Sequence, residues 1–175
     1  NALADVVRGV ENPSGRMPTT FPARLEDTPA HRFYPGQDGR VEYGEGLLVG
    51  YRWYDTRDIE PLVPFGHGLS YTTFEYGEPE ARVDQDGVVL TVPVSNTGER
   101  SGHEVVQVYR RGTDGGAGRP FQELCAFARV AVPAGGTRTV SLRVPPANLR
   151  VWDVPDSDWA PLRGTGVLAV GASSR

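Results

Sequence analysis

Apolar and polar residues alternate most regularly in the second half of the chain. Val88, Leu90, Val92 and Val94 alternate with Val89, Thr91, Pro93 and Ser95. One face is apolar and the other mixed, the pattern of a half-buried strand. Pro93 has no amide donor and predicts an edge position. Asn96-Thr97-Gly98 predicts a turn. Residues 103–111 and 123–132 predict two further strands. Val140, Leu142 and Val144 alternate with Thr139, Ser141 and Arg143 and predict a fourth, and residues 167–170 a fifth. Short strands separated by Gly/Pro turns predict a β-sandwich. It would occupy residues 72–175.

The first half reads differently. Leu3, Val6, Val7 and Val10 recur at helical spacing, and Gly9 is placed to end a helix. So short a one-faced helix needs something to pack on. Little downstream offers itself, so it reads as the last helix of a larger unit. Residues 12–40 contain five prolines: residues 12–15 read as a turn, residues 17–22 as an extended segment, and the whole stretch as wrapping over a surface. Residues 47–54, Leu-Leu-Val-Gly-Tyr-Arg-Trp-Tyr, read as strand-like. Residues 64–76, Pro-Phe-Gly-His-Gly-Leu-Ser-Tyr-Thr-Thr-Phe-Glu-Tyr, then read as a junction. Gly66 and Gly68 allow a sharp turn, and Thr72, Thr73, Phe74 and Tyr76 favour a strand. Residues 1–60 are therefore expected to expose apolar surface when isolated.

Composition agrees with turn-rich β structure. Gly (22) and Pro (15) make up more than a fifth of the 175 residues. The net charge is −4 without a block of like charge, which argues against nucleic-acid binding. All 18 basic residues are arginine, which fits the codon bias of a GC-rich genome. Cys125 is the single cysteine, so no intrachain disulfide is possible, and it reads as a small buried apolar group. No run approaches membrane-spanning length, so no membrane partner is expected. The chain starts with Asn1 rather than Met, so the natural N-terminus is expected to lie upstream. Nothing in the residues indicates a compartment.

Candidate chemistry is sparse. Residues 44–50 fit a GxGxxxG spacing, but a dinucleotide fingerprint needs a strand before it and a helix after it. The glycine-rich residues 112–118 lack the Gly-Lys-Ser/Thr of a phosphate loop and read as a hairpin connection. His31, His67 and His103 have no metal-ligand spacing, so no metal and no cofactor are expected. Glycoside hydrolysis needs two carboxylates flanking the sugar. Glu45 and Asp55 lie near Tyr43, Tyr51, Trp53 and Tyr54, which could stack on a sugar. The plainer reading is that these aromatics fill an interface and the acids are surface groups or arginine partners. Asp153, Asp156 and Asp158, set among Trp152 and Trp159, read as a solvated loop with tryptophans pinning a sandwich edge.

In order, the segments resemble the C-terminal part of glycoside hydrolase family 3, the β-glucosidase and β-xylosidase family. The matching residues are Asn12-Pro13-Ser14-Gly15-Arg16-Met17-Pro18, Tyr43-Gly44-Glu45-Gly46, and Val49-Gly50-Tyr51-Arg52-Trp53-Tyr54-Asp55. They continue with 64–74, Val94-Ser95-Asn96-Thr97-Gly98, and Gly102-His103-Glu104-Val105-Val106-Gln107-Val108-Tyr109. Arg119-Pro120, Glu123-Leu124, Phe127 and Val170-Gly171-Ala172-Ser173-Ser174 complete the series.

The resemblance implies a mainly β fold: a fibronectin type III-like (immunoglobulin-like) β-sandwich at 72–175. It would be preceded, at 1–71, by the C-terminal tail of an α/β sandwich domain plus linker. It also implies a parent enzyme that is a retaining exo-β-glycosidase, most simply a β-glucosidase. The family's nucleophile and acid/base motifs do not occur in these residues, so no catalytic residue is assigned, and the acid/base role is not transferred to Glu45. Substrate-binding residues remain unassigned. The implied partners are the barrel and α/β sandwich domains of the same enzyme, with a β-glycoside as the parent's substrate. The alternative is a self-standing β-sandwich module that binds carbohydrate or protein.

Overall fold

Inward-facing valines and leucines fix the architecture. In the computed structural model, which describes residues 1–112, 119–162 and 164–175, they come from two facing sheets. Nine strands are described: β1 (Phe74–Tyr76), β2 (Glu80–Asp84), β3 (Gly87–Asn96), β4 (Gly102–Gly112), β5 (Gln122–Val132), β6 (Thr137–Val144), β7 (Arg150–Asp153), β8 (Asp158–Pro161) and β9 (Gly166–Gly171). In one sheet β3 pairs with β6 on one side and with β1 and β2 on the other. The second sheet has the order β5-β4-β9, and all these pairings are antiparallel. Leu90, Val92 and Val94 of β3 meet Val106 and Val108 of β4, Cys125 and Val132 of β5, and Val140, Leu142 and Val144 of β6. Burying each such side chain contributes roughly 1.5–3 kcal/mol.

Pro93 lies on the central strand, not on an edge strand. Its carbonyl accepts from the Gly77 amide at 2.8 Å, so its ring nitrogen points the same way. That side is a gap: β1 reaches only Val94 and β2 only Thr91. The missing donor therefore breaks no ladder bond, and the proline is tolerated for the reason it would be at an edge.

Two helices precede the sandwich, α1 (Ala2–Val7) and α2 (Tyr51–Arg57). α1 is capped by the Asn1 side chain, which accepts from the Leu3 amide. It ends at Val7 with Arg8 as its C-cap, and Gly9 follows with φ 71°. It does have a downstream contact: Tyr71 Oη donates to the Val6 carbonyl at 2.9 Å. The strand-like reading of residues 47–54 is corrected. Turns fill 44–47, Gly50 breaks the extended run at φ 59°, and a helix follows. The helix wins because it has two faces to bury. Trp53 and Tyr54 pack with Leu48 and Ile59, while Tyr51 stacks on Phe65 at 4.6 Å. A helix thus does follow the GxGxxxG spacing, but residues 41–43 before it are not strand.

The Trp152 and Trp159 region is also corrected. It is a β7–β8 hairpin in which the two rings face each other edge-on at 5.8 Å. They are 50% and 55% exposed, so they do not pin the sandwich edge. Residues 113–118 of the glycine-rich connection lie outside the described residues. No helix among the described residues is long and apolar enough to cross a membrane.

Candidate functional site

The most elaborate polar arrangement is a seam where residues 12–17, 51–66 and 172–175 lie on the β5-β4-β9 sheet. It begins with β4, which is buried on both faces: Val106 and Val108 face the core, and Gln107 and Tyr109 face the seam. Gln107 Nε2 donates to the carbonyls of Gly66 (3.1 Å) and Ala172 (2.6 Å). Its Oε1 accepts from Tyr109 Oη at 2.5 Å. Gly66 is required here: its φ is 81°, and a Cβ would run into the Gln107 amide. The junction thus turns where the glycines predict, and the turn brings residues 64–66 against β4.

Arg16 enters the same seam. Its Nη2 lies 2.6 Å from Glu104 Oε2, and Tyr76 Oη donates to Glu104 Oε1 at 2.8 Å. Burial, and then the adjacent carboxylate, push the Tyr76 hydroxyl well above its ordinary pKa. Asn12 makes the other docking contacts of this segment: its Oδ1 accepts from the Tyr71 amide at 2.9 Å and its Nδ2 donates to Ser70 Oγ at 3.1 Å. The start of the proline-rich stretch, residues 12–17, is held by these contacts and by the Met17–His67 and Gly66–Met17 backbone bonds.

At the other end α2 meets the start of β5. Gln122 Nε2 donates to Asp55 Oδ2 at 2.7 Å and to the Ser174 carbonyl at 2.6 Å. Glu123 lies between two arginines, Arg52 of α2 at 3.0 Å and Arg110 of β4. Arg175 closes the group, with Nε 3.1 Å from Asp55 Oδ1, Nη1 2.8 Å from Glu60, and Nη2 donating to the Tyr54 carbonyl at 2.9 Å. Burial pushes the Asp55 carboxyl up, against the opposing pull of Gln122 and Arg175.

This geometry places the candidate chemical residues. Asp55 is an arginine and glutamine partner, its carboxylate engaged at both oxygens. Tyr51, Trp53 and Tyr54 fill interfaces, whereas Tyr43 is 82% exposed. Glu45 sits in the turn before α2, where its backbone carbonyl accepts from the Leu48 amide at 3.0 Å. Cys125 is buried, and burial raises its thiol to about 11. Among the described residues no group of three or more His, Cys, Asp or Glu is placed to hold a metal ion. Gln107 and Gln122 carry the seam; Gln107 lies in a stretch that carries the family resemblance, but as single amides in apolar strands neither has a local pattern that assigns it this role.

Two known protein-family patterns match the chain. The profile described as Glycosyl hydrolase family 3 C-terminal domain matches residues 1–71, and that described as Fibronectin type III-like domain matches residues 104–174. A β-glucosidase of Rhizobium radiobacter is 45% identical over 99% of this chain, and thermostable β-glucosidase B of Acetivibrio thermocellus is 42% identical over 99%. The chain spans only 22% and 24% of their lengths. The crystal structure of DesR, a β-glucosidase from Streptomyces venezuelae in complex with D-glucose, superposes with a TM-score of 0.92 at 37% identity. That match covers 99% of this chain and 23% of DesR. β-Glucosidase 3B from Thermotoga neapolitana gives a TM-score of 0.88 at 40% identity, covering 99% of this chain and 24% of that one. The chain belongs to glycoside hydrolase family 3 and corresponds to a C-terminal portion of the β-glucosidases it matches.

Proposed function

We propose that this chain is the C-terminal scaffold of a retaining exo-β-glucosidase and carries no catalytic carboxylate of its own. Residues 1–71 are the tail of an α/β sandwich domain with its linker, and residues 72–175 the fibronectin type III-like sandwich. The observation that carries this reading is the match of nearly the whole chain to less than a quarter of much longer β-glucosidases. The use of its acids supports it. Retaining hydrolysis needs two carboxylates about 5 Å apart across the sugar. Asp55 and Glu104 are instead held in ion pairs of the seam.

The exposed apolar side chains Leu3, Val7, Val10, Leu47 and Val49 fit a surface covered by the rest of the enzyme. The partners are therefore the barrel and the remainder of the α/β sandwich domain, and the substrate of the whole is a β-glucoside. Trp152 and Trp159 favour a second reading, a self-standing module binding carbohydrate, because half-exposed tryptophans can stack on sugars.

The test is the coding sequence upstream of Asn1. An open frame encoding a barrel, whose product hydrolyses a chromogenic β-glucoside, is the expected outcome. A start codon just before Asn1, with binding of oligosaccharides at millimolar concentration, would overturn the scaffold reading in favour of the module.

A further inference from the structure

α2 has two faces, and each is fixed to a different part of the chain. On one face, four helix residues meet four consecutive residues, Phe121 and the first three of β5, in antiparallel order. Thr56 Oγ1 accepts from the Phe121 amide at 2.8 Å. Asp55 accepts from Gln122 at 2.7 Å, and Arg52 lies 3.0 Å from Glu123. Tyr51 Oη accepts from the Leu124 amide at 2.8 Å. Positions 51, 52, 55 and 56 form one face of a helix. The two outer rungs satisfy the backbone amides of Leu124 in β5 and of Phe121 just before it; among the described residues β5 pairs only with β4.

The opposite face holds the segment before the helix. Trp53 Nε1 donates to the Asp27 carbonyl at 3.0 Å, and Trp53 and Tyr54 pack on Leu48. The Arg57 guanidinium lies over the Trp53 ring at 4.9 Å. The Phe33 ring lies against Gly44, where a Cβ could not fit. α2 is therefore tied on one face to the start of β5 and on the other to Asp27 and Leu48, while the Phe33–Gly44 contact lies within the same stretch of residues 25–48.

We propose that α2 is a coupler, through which the start of β5 positions the loops of residues 25–48. Gln122 and Glu123 are positioning residues in this scheme. Its consequence for the whole enzyme rests on the scaffold reading above: the sandwich would hold a neighbouring domain's loops in place rather than merely cover it. The coupling itself is independent of that reading.

The test is hydrogen exchange measured peptide by peptide on the 175-residue chain. The double variant Tyr51→Phe/Thr56→Val removes the two outer rungs and leaves the stacked ring on Phe65. Peptides of α2 and of residues 25–48 should exchange faster together, on the order of tenfold, since two hydrogen bonds are lost. β3 and β6 should not change. Trp53→Phe cuts the other face, so residues 25–48 should loosen while residues 119–124 keep their protection. Unchanged exchange in 25–48 when α2 loosens would overturn the proposal, as would an equal rise in β3 and β6. An unchanged catalytic rate in the whole enzyme, with the exchange pattern as expected, would instead count against the scaffold reading.

Discussion

Arg16 and Glu104 form a buried ion pair between the N-terminal segment and the sandwich, with Nη2 2.6 Å from Oε2 and side chains only 12% and 3% exposed. Removing one partner leaves an uncompensated charge out of water. Arg16→Met should therefore destabilise the chain by about 3–5 kcal/mol in urea unfolding. The double variant Arg16→Met/Glu104→Gln should recover most of that loss, because Gln still accepts from Tyr76. If the single and double variants lose equal stability, the pair is not coupled.

Asn96 is the polar hub of the sandwich end. Its Nδ2 donates to the carbonyls of Arg100 (2.7 Å) and Val132 (3.1 Å). Its Oδ1 accepts from Thr72 Oγ1 (2.5 Å) and the Gly98 amide (3.1 Å). All four capacities of the amide are used while the residue is 1% exposed. Asn96→Ala strands several buried groups and should cost about 3 kcal/mol or more. Asn96→Asp keeps the shape but turns two donors into acceptors facing carbonyls, and should be no better. Thermal unfolding of the two variants checks this, and a near-native melting temperature for either would contradict it.

Acid dependence should separate two aspartates. The Arg143 guanidinium, with the Asp86 amide, holds the Asp84 carboxyl below its usual range. Its folded pKa is depressed, so its contribution is present above the unfolded value of about 3.9 and is lost as pH falls through the folded pKa. The stability difference between wild type and Asp84→Asn should thus be constant above about pH 5 and shrink below about pH 4. Asp55 has the opposite sign, since burial raises its folded pKa. Its contribution is present below the unfolded value and is lost as pH rises through the folded one. Denaturation curves from pH 2.5 to 6 measure both. A difference for Asp84→Asn that grows on acidification would contradict the assignment.

The thiol of Cys125 should be inert in the folded chain. It is 7% exposed, its Sγ lies 3.3 Å from the Val108 carbonyl, and burial raises its pKa to about 11. Thiolate, not thiol, reacts. At pH 8 labelling by a disulfide reagent should be on the order of a hundredfold slower than in denaturant, from the pKa difference alone. Rapid native labelling would place the side chain at the surface.

The sandwich was legible because its core strands alternate. β3 and β6 bury every second residue, so Leu90, Val92, Val140 and Leu142 announce the inner face. The helix α2 was hidden because residues 47–54 are aromatic and apolar without a clear period. Its two buried faces belong to two different partners, so no single stripe appears. The β7–β8 hairpin was hidden for the reverse reason: its aspartates look like loop residues, and its tryptophans pair with each other instead of with the core. The seam was legible in its glycines and in the reading of Asp55 as an arginine partner, but not in its pairings. Gln107, Gln122 and Glu123 act through neighbours far away in sequence, and no local pattern carries that information.

On the scaffold reading proposed above, this chain supports β-glucosidase chemistry without performing it. The direct measurement is an assay of the 175-residue chain with a chromogenic β-glucoside, alongside Glu45→Gln and a buffer control. No turnover above buffer is expected for either protein. Turnover well above buffer that disappears in Glu45→Gln would contradict it.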